Sequence, residues 1–459
     1  MFIDDTIAAV ATAPGEAGIG IVRLSGPKAL DIANKIFKPI KGNTDLSMQV
    51  RKLVYGHVYD QDKVIDEVLV SYMKKPHTFT REDVVEINCH GGYISVRKIL
   101  ESVIRNGARL ADRGEFTKRA FLNGRIDLSQ AEAIIDIINA KTNASFDIAQ
   151  KHLEGNLSAS IKQIRDKLTM DLAKITVAID FPEEDEPEVT YEELSVDLRE
   201  VMTSIKGLIA SFETGKILRD GLKTVIVGKP NVGKSSLLNA ILKESRAIVT
   251  EIEGTTRDII EEYVNIGGIP LKIVDTAGIR ETDDLVEKIG VQKSKESFES
   301  ADLVIMMLDS SRHLSSQDQD ILSLLGDKKA IILVNKTDLP SMVTDDEIHN
   351  YAKGKPIIRI SALEKKGIDL LEKEIENMVL EGSLKTQNDI MVTNARHKMA
   401  LERAFEACSD ALTALADNIP LDIAETDFKN AWNELGHITG DTVSEDLLDT
   451  IFREFCIGK

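Results

Sequence analysis

The chain has 459 residues, 42% of them hydrophobic, with three cysteines and a formal net charge of −19. That length supports two or three cored domains, and no apolar run reaches the ~18 residues that span a bilayer, so a soluble protein is expected. The sparse, widely spaced Cys89, Cys408 and Cys456 exclude a disulfide framework and a zinc site, and the acidic balance excludes a nucleic-acid binder of the usual basic type.

MFIDDTIAAV opens with acids and has no basic segment before an apolar one, so no signal peptide is expected and the cytoplasm is the expected compartment. Residues 1–118 read as a small α/β domain. AVATAPGEAGIGIVRLSG gives two strands around a Gly-rich bend, a helix follows, and VLVSYMKKPHTFTREDVVEINCHGG adds two more strands. The stretch Gly15 to Gly20 has no Lys-Ser end, so it is not a second phosphate loop. His90, before Gly91 and Gly92, reads as structural rather than catalytic. From RAFLNGRIDLSQAEAIIDIINAKT to Phe181 the apolar 3.6 spacing predicts helices, and the acidic run FPEEDEPE, residues 181–188, breaks them as a solvated loop.

The strongest signal lies mid-chain. In KTVIVGKPNVGKSSLLNAIL a β-rich run, Lys223 to Val227, meets a glycine-rich turn and then an apolar-periodic helix, the context a P-loop requires. Gly228 and Gly233 let the backbone curl so that its N–H groups face phosphate oxygens, Lys234 reaches the β and γ phosphates, and the Ser235 hydroxyl ligates Mg²⁺. IVTEIEGTTRD reads as the first switch, with Thr255 or Thr256 supplying a second Mg²⁺ hydroxyl and sensing the γ phosphate. LKIVDTAG ends a strand on Asp275, a Walker B carboxylate for Mg²⁺, and Gly278 stands where a switch must move. AIILVNKTD ends another strand with Asn335, Lys336 and Asp338. A carboxylate that accepts from the N1 and N2 protons of guanine finds no such paired donors on adenine, so GTP and its product GDP are the expected ligands.

SALEKKG has the form of the base-side loop that closes such a site. The expected nucleotide contacts are Asn231, Val232, Gly233, Lys234, Ser235 and Ser236 in the phosphate loop, and Thr250, Glu251, Ile252, Glu253, Gly254, Thr255 and Thr256 in the first switch. They continue with Asp275, Thr276, Ala277 and Gly278, then Asn335, Lys336, Thr337 and Asp338, and end on Ser361, Ala362 and Leu363.

Two roles stay open on the residues alone. The Asn231 side-chain oxygen either ligates a monovalent cation, with backbone carbonyls of Thr250, Ile252 and Thr255, or stabilises the loop turn. After DTAG stands Ile279, which cannot hydrogen-bond water, so another group must orient the attacking water. Glu281, Asp283, Asp284 and Glu287 are candidates that spacing does not rank. Arg257 and Arg280 fit a charge-stabilising finger, with a partner contact as the plainer reading.

NARHKMALERAFEACSDALTALADN resumes the helical pattern. Residues 119–215 and 381–459 are therefore expected to form one helical domain, interrupted by a doubly wound GTPase domain at 216–380. The fold class is multidomain α/β plus all-α. In the terminal FCIGK, Cys456 has the outline of a prenylation box, but Lys459 and Gly458 depart from it and no polybasic stretch supplies a second membrane signal. No lipid is expected; Cys456 is either a reactive or a structural thiol.

The strings DTIAAVATAPGEAGIGIVRLSG, GEFTKRAFLNGRIDLSQAEAI, GKPNVGKSSLLN, EGTTRD, DTAGIRE and FCIGK, in this order, resemble the MnmE (TrmE) family of tRNA modification GTPases over essentially the whole chain. The resemblance implies an N-terminal domain that binds a tetrahydrofolate such as the 5-formyl form and holds a homodimer. It also implies a flavin-dependent partner, MnmG, in a heterotetramer or larger assembly that adds a carboxymethylaminomethyl group to carbon 5 of the tRNA wobble uridine. Its folate contacts fall on Arg23, Glu86, Arg125 and Lys459, with Arg125 standing where Lys is common. Glu86 would accept from the pterin amine and ring N–H while the cations meet folate carboxylates.

The same resemblance gives water orientation to Glu287, Mg²⁺ to Ser235 and Thr256, and K⁺ to Asn231 with Thr250, Ile252 and Thr255. K⁺ would neutralise phosphate charge where an arginine finger would sit, and GTPase domains would pair when it is bound. For the tail, Phe455 and Ile457 would anchor a strand-like end beside the folate, Gly458 would allow close approach and Lys459 would face the ligand. Cys456 would lie near the one-carbon unit as acid, base or transient nucleophile toward uridine carbon 6.

Two other functions share parts of this pattern. A ribosome-assembly GTPase would share the central domain but append a basic RNA-binding domain, which this acidic chain lacks. A folate-binding scaffold using GTP only as an assembly signal would show no turnover without a partner.

Overall fold

The computed structural model describes residues 5–41, 45–180, 190–244, 262–274, 298–380 and 390–458. The chain divides into two compact units, one of Met1–Ile135, Leu153–Ile161 and Leu435–Lys459, the other of Asp136–His152 and Lys162–Glu434. Among the described residues no helix is long and apolar enough to cross a membrane.

The first unit holds a seven-stranded sheet. Its strands are β1 (Ile7–Val10), β2 (Ala17–Ser25), β3 (Phe37–Pro39), β4 (Leu53–Asp60), β5 (Lys63–Met73), β6 (Val84–Gly91) and β7 (Arg109–Leu110), in the spatial order β3-β4-β5-β6-β2-β1-β7. The pairings are antiparallel except β1 with β7. The expected four strands are present; β3, β4 and β7 are additional, because LVYGHVYD alternates too weakly in hydrophobicity to stand out as a strand.

Helix Ala29–Ile36 buries Ala29, Ile32, Ala33 and Ile36, a stripe with the 3.6-residue period. Helix Tyr93–Arg105 adds Ile99 and Val103, and both pack with Val22, Leu24, Val70 and Ile87 in one core. Full burial of such a side chain contributes about 1.5–3 kcal/mol, so these stripes fix which sheet face is covered. Side chains of opposed residues in neighbouring strands share a face. Arg23 lies opposite Glu86, and Glu86 opposite Ser71, so all three stand together on one face, alternate to that of Val22, Ile87 and Val70.

The second unit contains a six-stranded sheet in the order β13-β12-β11-β8-β10-β9. The strands are β8 (Leu222–Val227), β9 (Glu262–Ile266), β10 (Ile269–Val274), β11 (Leu303–Asp309), β12 (Ala330–Asn335) and β13 (Ile357–Arg359). All pairs are parallel except β9 with β10. In β11 the side chains of Leu303, Ile305 and Met307 enter one core and those of Val304, Met306 and Leu308 the other. That two-sided burial is why the strand is apolar throughout. Helices Lys234–Glu244 and Ile368–Leu380 cover the first face through Leu237, Ile241, Leu371 and Ile375. Leu322 and Ile348, from helices Ser316–Leu324 and Asp345–His349, cover the second.

Long helices make up the rest of this unit. Helix Tyr191–Ala210 buries Leu194, Leu198, Val201, Ile205 and Leu208 and pairs with helix Ala395–Ala416, which buries Leu401, Ala404, Cys408, Ala411 and Leu415. Burial pushes the Cys408 thiol up to about 12, so it is a packing residue. The parallel sheet is an insertion whose two crossing points lie side by side. The Thr214 hydroxyl donates to the Val379 carbonyl at 3.2 Å, and the Ser211 hydroxyl accepts from Val392 N–H at 3.0 Å. A Cβ on Gly215 would stand 2.3 Å from the Val392 carbonyl oxygen, so only glycine fits between them. The fold is multidomain α/β plus all-α, with a helical domain interrupted by a P-loop GTPase fold.

Candidate functional site

β8 runs into the loop that precedes helix Lys234–Glu244. Gly228 has φ 148° and its Cβ would lie 2.6 Å from the Met307 carbonyl oxygen; Gly233 has φ 105° and its Cβ would lie 2.2 Å from Nδ2 of Asn335. Both glycines are thus required twice, by backbone conformation and by close approach. Asn335 is buried, donates from Nδ2 to the Val232 carbonyl at 2.8 Å, and accepts at Oδ1 from Ala362 N–H at 2.9 Å. One amide therefore ties the phosphate loop, the end of β12 and the base-side loop together.

The Ser361 hydroxyl donates to Asp338 Oδ1 at 2.6 Å, which fixes the carboxylate that the sequence singles out for guanine. Lys336, at φ 68°, pairs with Asp309 through Nζ and Oδ2 at 2.6 Å. Burial works against the Asp309 charge, but the Lys336 ammonium and the Ser311 donors outweigh it and hold the carboxyl below its usual range. Asp309, at the end of β11, is a positioning residue that sequence reasoning missed; an acid closing an apolar strand was its signal. Leu363 is 82% exposed, and Thr337 N–H donates to the Ile360 carbonyl at 3.2 Å.

Lys234 Nζ donates to the carbonyls of Gly228 and Lys229 at 2.7 and 2.9 Å, inside the loop, and burial lowers its pKa. Ser235 and Ser236 are exposed on the first helical turn, and Val232 is buried beneath them. Asn231 is exposed at φ 64°, a left-handed conformation that Asn tolerates better than most residues. Backbone N–H groups at a helix start, an ammonium and a hydroxyl are a donor set whose chemistry suits polyphosphate.

Several expected residues lie outside the described residues. These are Thr250, Glu251, Ile252, Glu253, Gly254, Thr255, Thr256, Arg257, Asp275, Thr276, Ala277, Gly278, Ile279, Arg280, Glu281, Asp283, Asp284, Glu287 and Lys459, together with the run 181–188.

The first unit carries a second constellation. Arg23 Nε pairs with Glu86 Oε1 at 2.8 Å, and Arg23 Nη1 donates to the Gly458 carbonyl at 3.3 Å. Gly458 has φ 91°, and its Cβ would stand 2.2 Å from the Val10 carbonyl oxygen, so the tail reaches this pair only with glycine there. The tail departs from expectation in two ways. The described residues after helix Glu445–Arg453 form turns rather than a strand, and Ile457 is 52% exposed instead of anchored. Phe455 alone is the apolar anchor, buried against Gly114 with its ring centroid 5.1 Å from that of Phe452. Cys456 is exposed, and its carbonyl accepts from Gly114 N–H at 3.3 Å.

Arg125 sits on Phe79, with the guanidinium 4.7 Å from the ring centroid and Nη1 donating to the Phe79 carbonyl at 3.1 Å. Among the described residues no hydrogen bond joins Arg125 to Arg23 or Glu86. It lines an open cleft of 690 Å³ together with Arg51, Ser71, Phe79 and Arg81. None of these four was a sequence candidate; the signal was the crowded string HTFTRED. The loop carrying Phe79 and Arg81 is held by a buried ion network. Arg119, fully buried, bonds Asp5, Glu82 and Glu115, while Ser25 donates to Glu82 at 2.7 Å.

The other titratable candidates are structural. His90 Nδ1 meets Asp66 Oδ1 at 2.7 Å, and that contact raises the imidazole pKa. Burial pushes the Cys89 thiol up to about 11, and its Sγ donates to the Gly20 carbonyl at 3.3 Å.

The family profile of the MnmE helical domain matches residues 128–456, and that of the GTP-binding protein TrmE N-terminus matches residues 6–125. A tRNA modification GTPase MnmE from Clostridioides difficile strain 630 is 60% identical over 459 residues, covering 100% of both chains. Its counterpart from Alkaliphilus metalliredigens is 58% identical over 461 residues, again covering 100% of both. A structure of Era from Aquifex aeolicus is 31% identical over 40% of this chain and 65% of that chain, at a TM-score of 0.27, too slight a likeness to bear on arrangement. With both family profiles matched and identity sustained from end to end, the chain belongs to the MnmE family of tRNA modification GTPases.

Proposed function

We propose that this chain is a K⁺-dependent GTP hydrolase. With a flavin-dependent partner, MnmG, it adds a carboxymethylaminomethyl group to carbon 5 of the wobble uridine of certain tRNAs. The one-carbon unit comes from a tetrahydrofolate such as the 5-formyl form. The observation that carries the reading is the Asn335 amide, which binds the phosphate loop and the base-side loop into one nucleotide site. Residues 1–118 form the folate-binding and dimerising domain, 119–215 and 381–459 the helical domain, and 216–380 the GTPase domain.

Ser235 and Thr256 would hold Mg²⁺, and Asn231 with the carbonyls of Thr250, Ile252 and Thr255 would hold K⁺. Ser235 on the first helical turn and Asn231 in the loop are exposed residues, and a hydroxyl and an amide oxygen are donor types that suit these ions. Bound there, the ions supply charge neutralisation to the phosphates. Glu287 orients the attacking water. The Glu86 carboxylate suits a ring amine and N–H, and the Arg23, Arg125 and Lys459 cations suit carboxylates, so this donor set fits a folate. Leu53, Tyr55 and Leu69 stand exposed on neighbouring strands of the same sheet, an apolar surface that supports a homodimer through this domain, and the compartment proposed for it is the cytoplasm.

Mass analysis of wobble nucleosides tests the reading. Cells lacking this protein should lose the carboxymethylaminomethyl nucleoside and regain it with the wild-type chain but not with Cys456→Ser. Retention in the deleted strain would overturn the proposed reaction, and rescue by Cys456→Ser would return that thiol to a structural role.

A further inference from the structure

The cleft beside Arg125 holds three guanidinium groups, and among the described residues none of the three is paired with a carboxylate. Each spends one N–H on a backbone carbonyl: Arg51 on His77 at 2.7 Å, Arg81 on Asn123 at 2.8 Å and Arg125 on Phe79 at 3.1 Å. A guanidinium has five N–H donors, so most of each fork is left for a ligand. Arg51 and Arg81 have φ of 60° and 59°, a conformation uncommon for non-glycine residues, and the Arg119 network holds the residue after Arg81. Burial and the Arg81 charge lower the Arg125 pKa, the signature of like charges gathered without compensation. Uncompensated arginines lining a concave surface of 690 Å³ form a receptor for several anionic groups.

The position of the cleft says which anions. Ser71 lines it, and Ser71 lies directly opposite Glu86, which lies opposite Arg23. Opposed strands are about 4.8 Å apart, so the arginine cleft begins one strand away from Glu86 on the same sheet face. A ligand whose ring end is gripped by Glu86 would carry its acidic end into the cleft. We infer that this cleft is a subsite for a poly-γ-glutamate extension of the folate, in which Arg51 and Arg81 bind the carboxylates beyond the first glutamate. This rests on the folate reading above and adds to it a choice of substrate form: the enzyme prefers polyglutamylated over monoglutamylated carrier.

The test is calorimetric titration of the full chain with 5-formyltetrahydrofolate bearing one or five glutamates. The pentaglutamate should bind at least tenfold more tightly at low salt, with the preference shrinking as ionic strength rises. In an Arg51→Ala, Arg81→Ala double variant, checked for native circular dichroism, the preference should fall below about threefold, and Arg51→Lys with Arg81→Lys should restore part of it. Equal, salt-independent affinities in the wild-type chain would overturn the inference while leaving the folate site intact. Failure to bind either form would overturn the folate reading itself. If the double variant keeps its pentaglutamate preference but loses affinity for an anticodon stem-loop RNA, the cleft is a phosphate-backbone contact and the inference falls.

Discussion

A methyl group on Gly233 would stand 2.2 Å from Nδ2 of Asn335, and that atom also holds the Val232 carbonyl. Gly233→Ala should therefore disconnect the phosphate loop from the base-side loop. Loss of GTP affinity by about 100-fold or more in equilibrium titration is the expected result, and near-normal affinity would show that the junction is dispensable. The guanine contact is separable from this one. If Asp338 is the carboxylate that accepts from the paired donors of guanine, an amide at the same place would instead donate to an acceptor. Asp338→Asn should weaken GTP by ~100-fold and favour XTP, whose base carries a carbonyl at carbon 2. Competition binding of the two nucleotides decides it. At this scale the motifs were readable because each phosphate or guanine atom demands one residue type at one spacing. Arg51, Arg81 and Asp309 were passed over, because local signals such as HTFTRED or an acid at a strand end do not say which residues distant in sequence they will meet.

Between elements, the helices Asn156–Asp180 and Tyr191–Ala210 meet at a charged contact. Asp171 has a side chain only 1% exposed, and Lys174 Nζ lies 3.6 Å from Asp171 Oδ1 and 3.2 Å from Asp197 Oδ2. Burial first, and then the Asp197 charge and hydrogen bond, push Asp171 from 3.8 to about 7, more than Lys174 offsets. The folded state then holds a proton that the unfolded chain has already released between about pH 4 and 7. Stability accordingly falls as pH rises through that window and levels off above it. Asp171→Asn removes this slope, so the variant should gain about 1–4 kcal/mol on wild type between pH 5 and 8 in urea unfolding. Parallel pH profiles for the two proteins would refute the buried proton. Helical periodicity made these helices legible as segments; which faces met, and that an acid pair met there, was not.

For the molecule as a whole the expectation concerns hydrolysis. If Asn231 and the first-switch carbonyls hold a monovalent ion, GTP turnover should rise in K⁺ over Na⁺ by tenfold or more, since the larger ion suits that ring of oxygens. Equal rates in the two salts would remove the ion from the mechanism. Glu287→Ala should lower turnover by about 100-fold while GTP affinity persists, because a residue that orients water contributes to the transition state and not to ground-state binding. A variant that hydrolyses normally moves the role to another residue.

Sequence alone determined the GTPase fold, its guanine specificity and its insertion into a helical domain. P-loop geometry leaves few residue choices at Gly228, Gly233, Lys234 and Ser235, and a parallel strand buried on both faces, such as β11, must be apolar along its length. It also carried the family resemblance that the full-length relatives bear out. Only the tertiary structure decided the register that sets Arg23, Glu86 and Ser71 on one sheet face, and the arginine cleft that begins at Ser71. It likewise decided that the tail meets Arg23 through turns anchored by Phe455 rather than through a strand. Strand pairing and tail docking depend on which distant residues bury one another, and hydrophobic periodicity along the chain records that something is buried but not its partner.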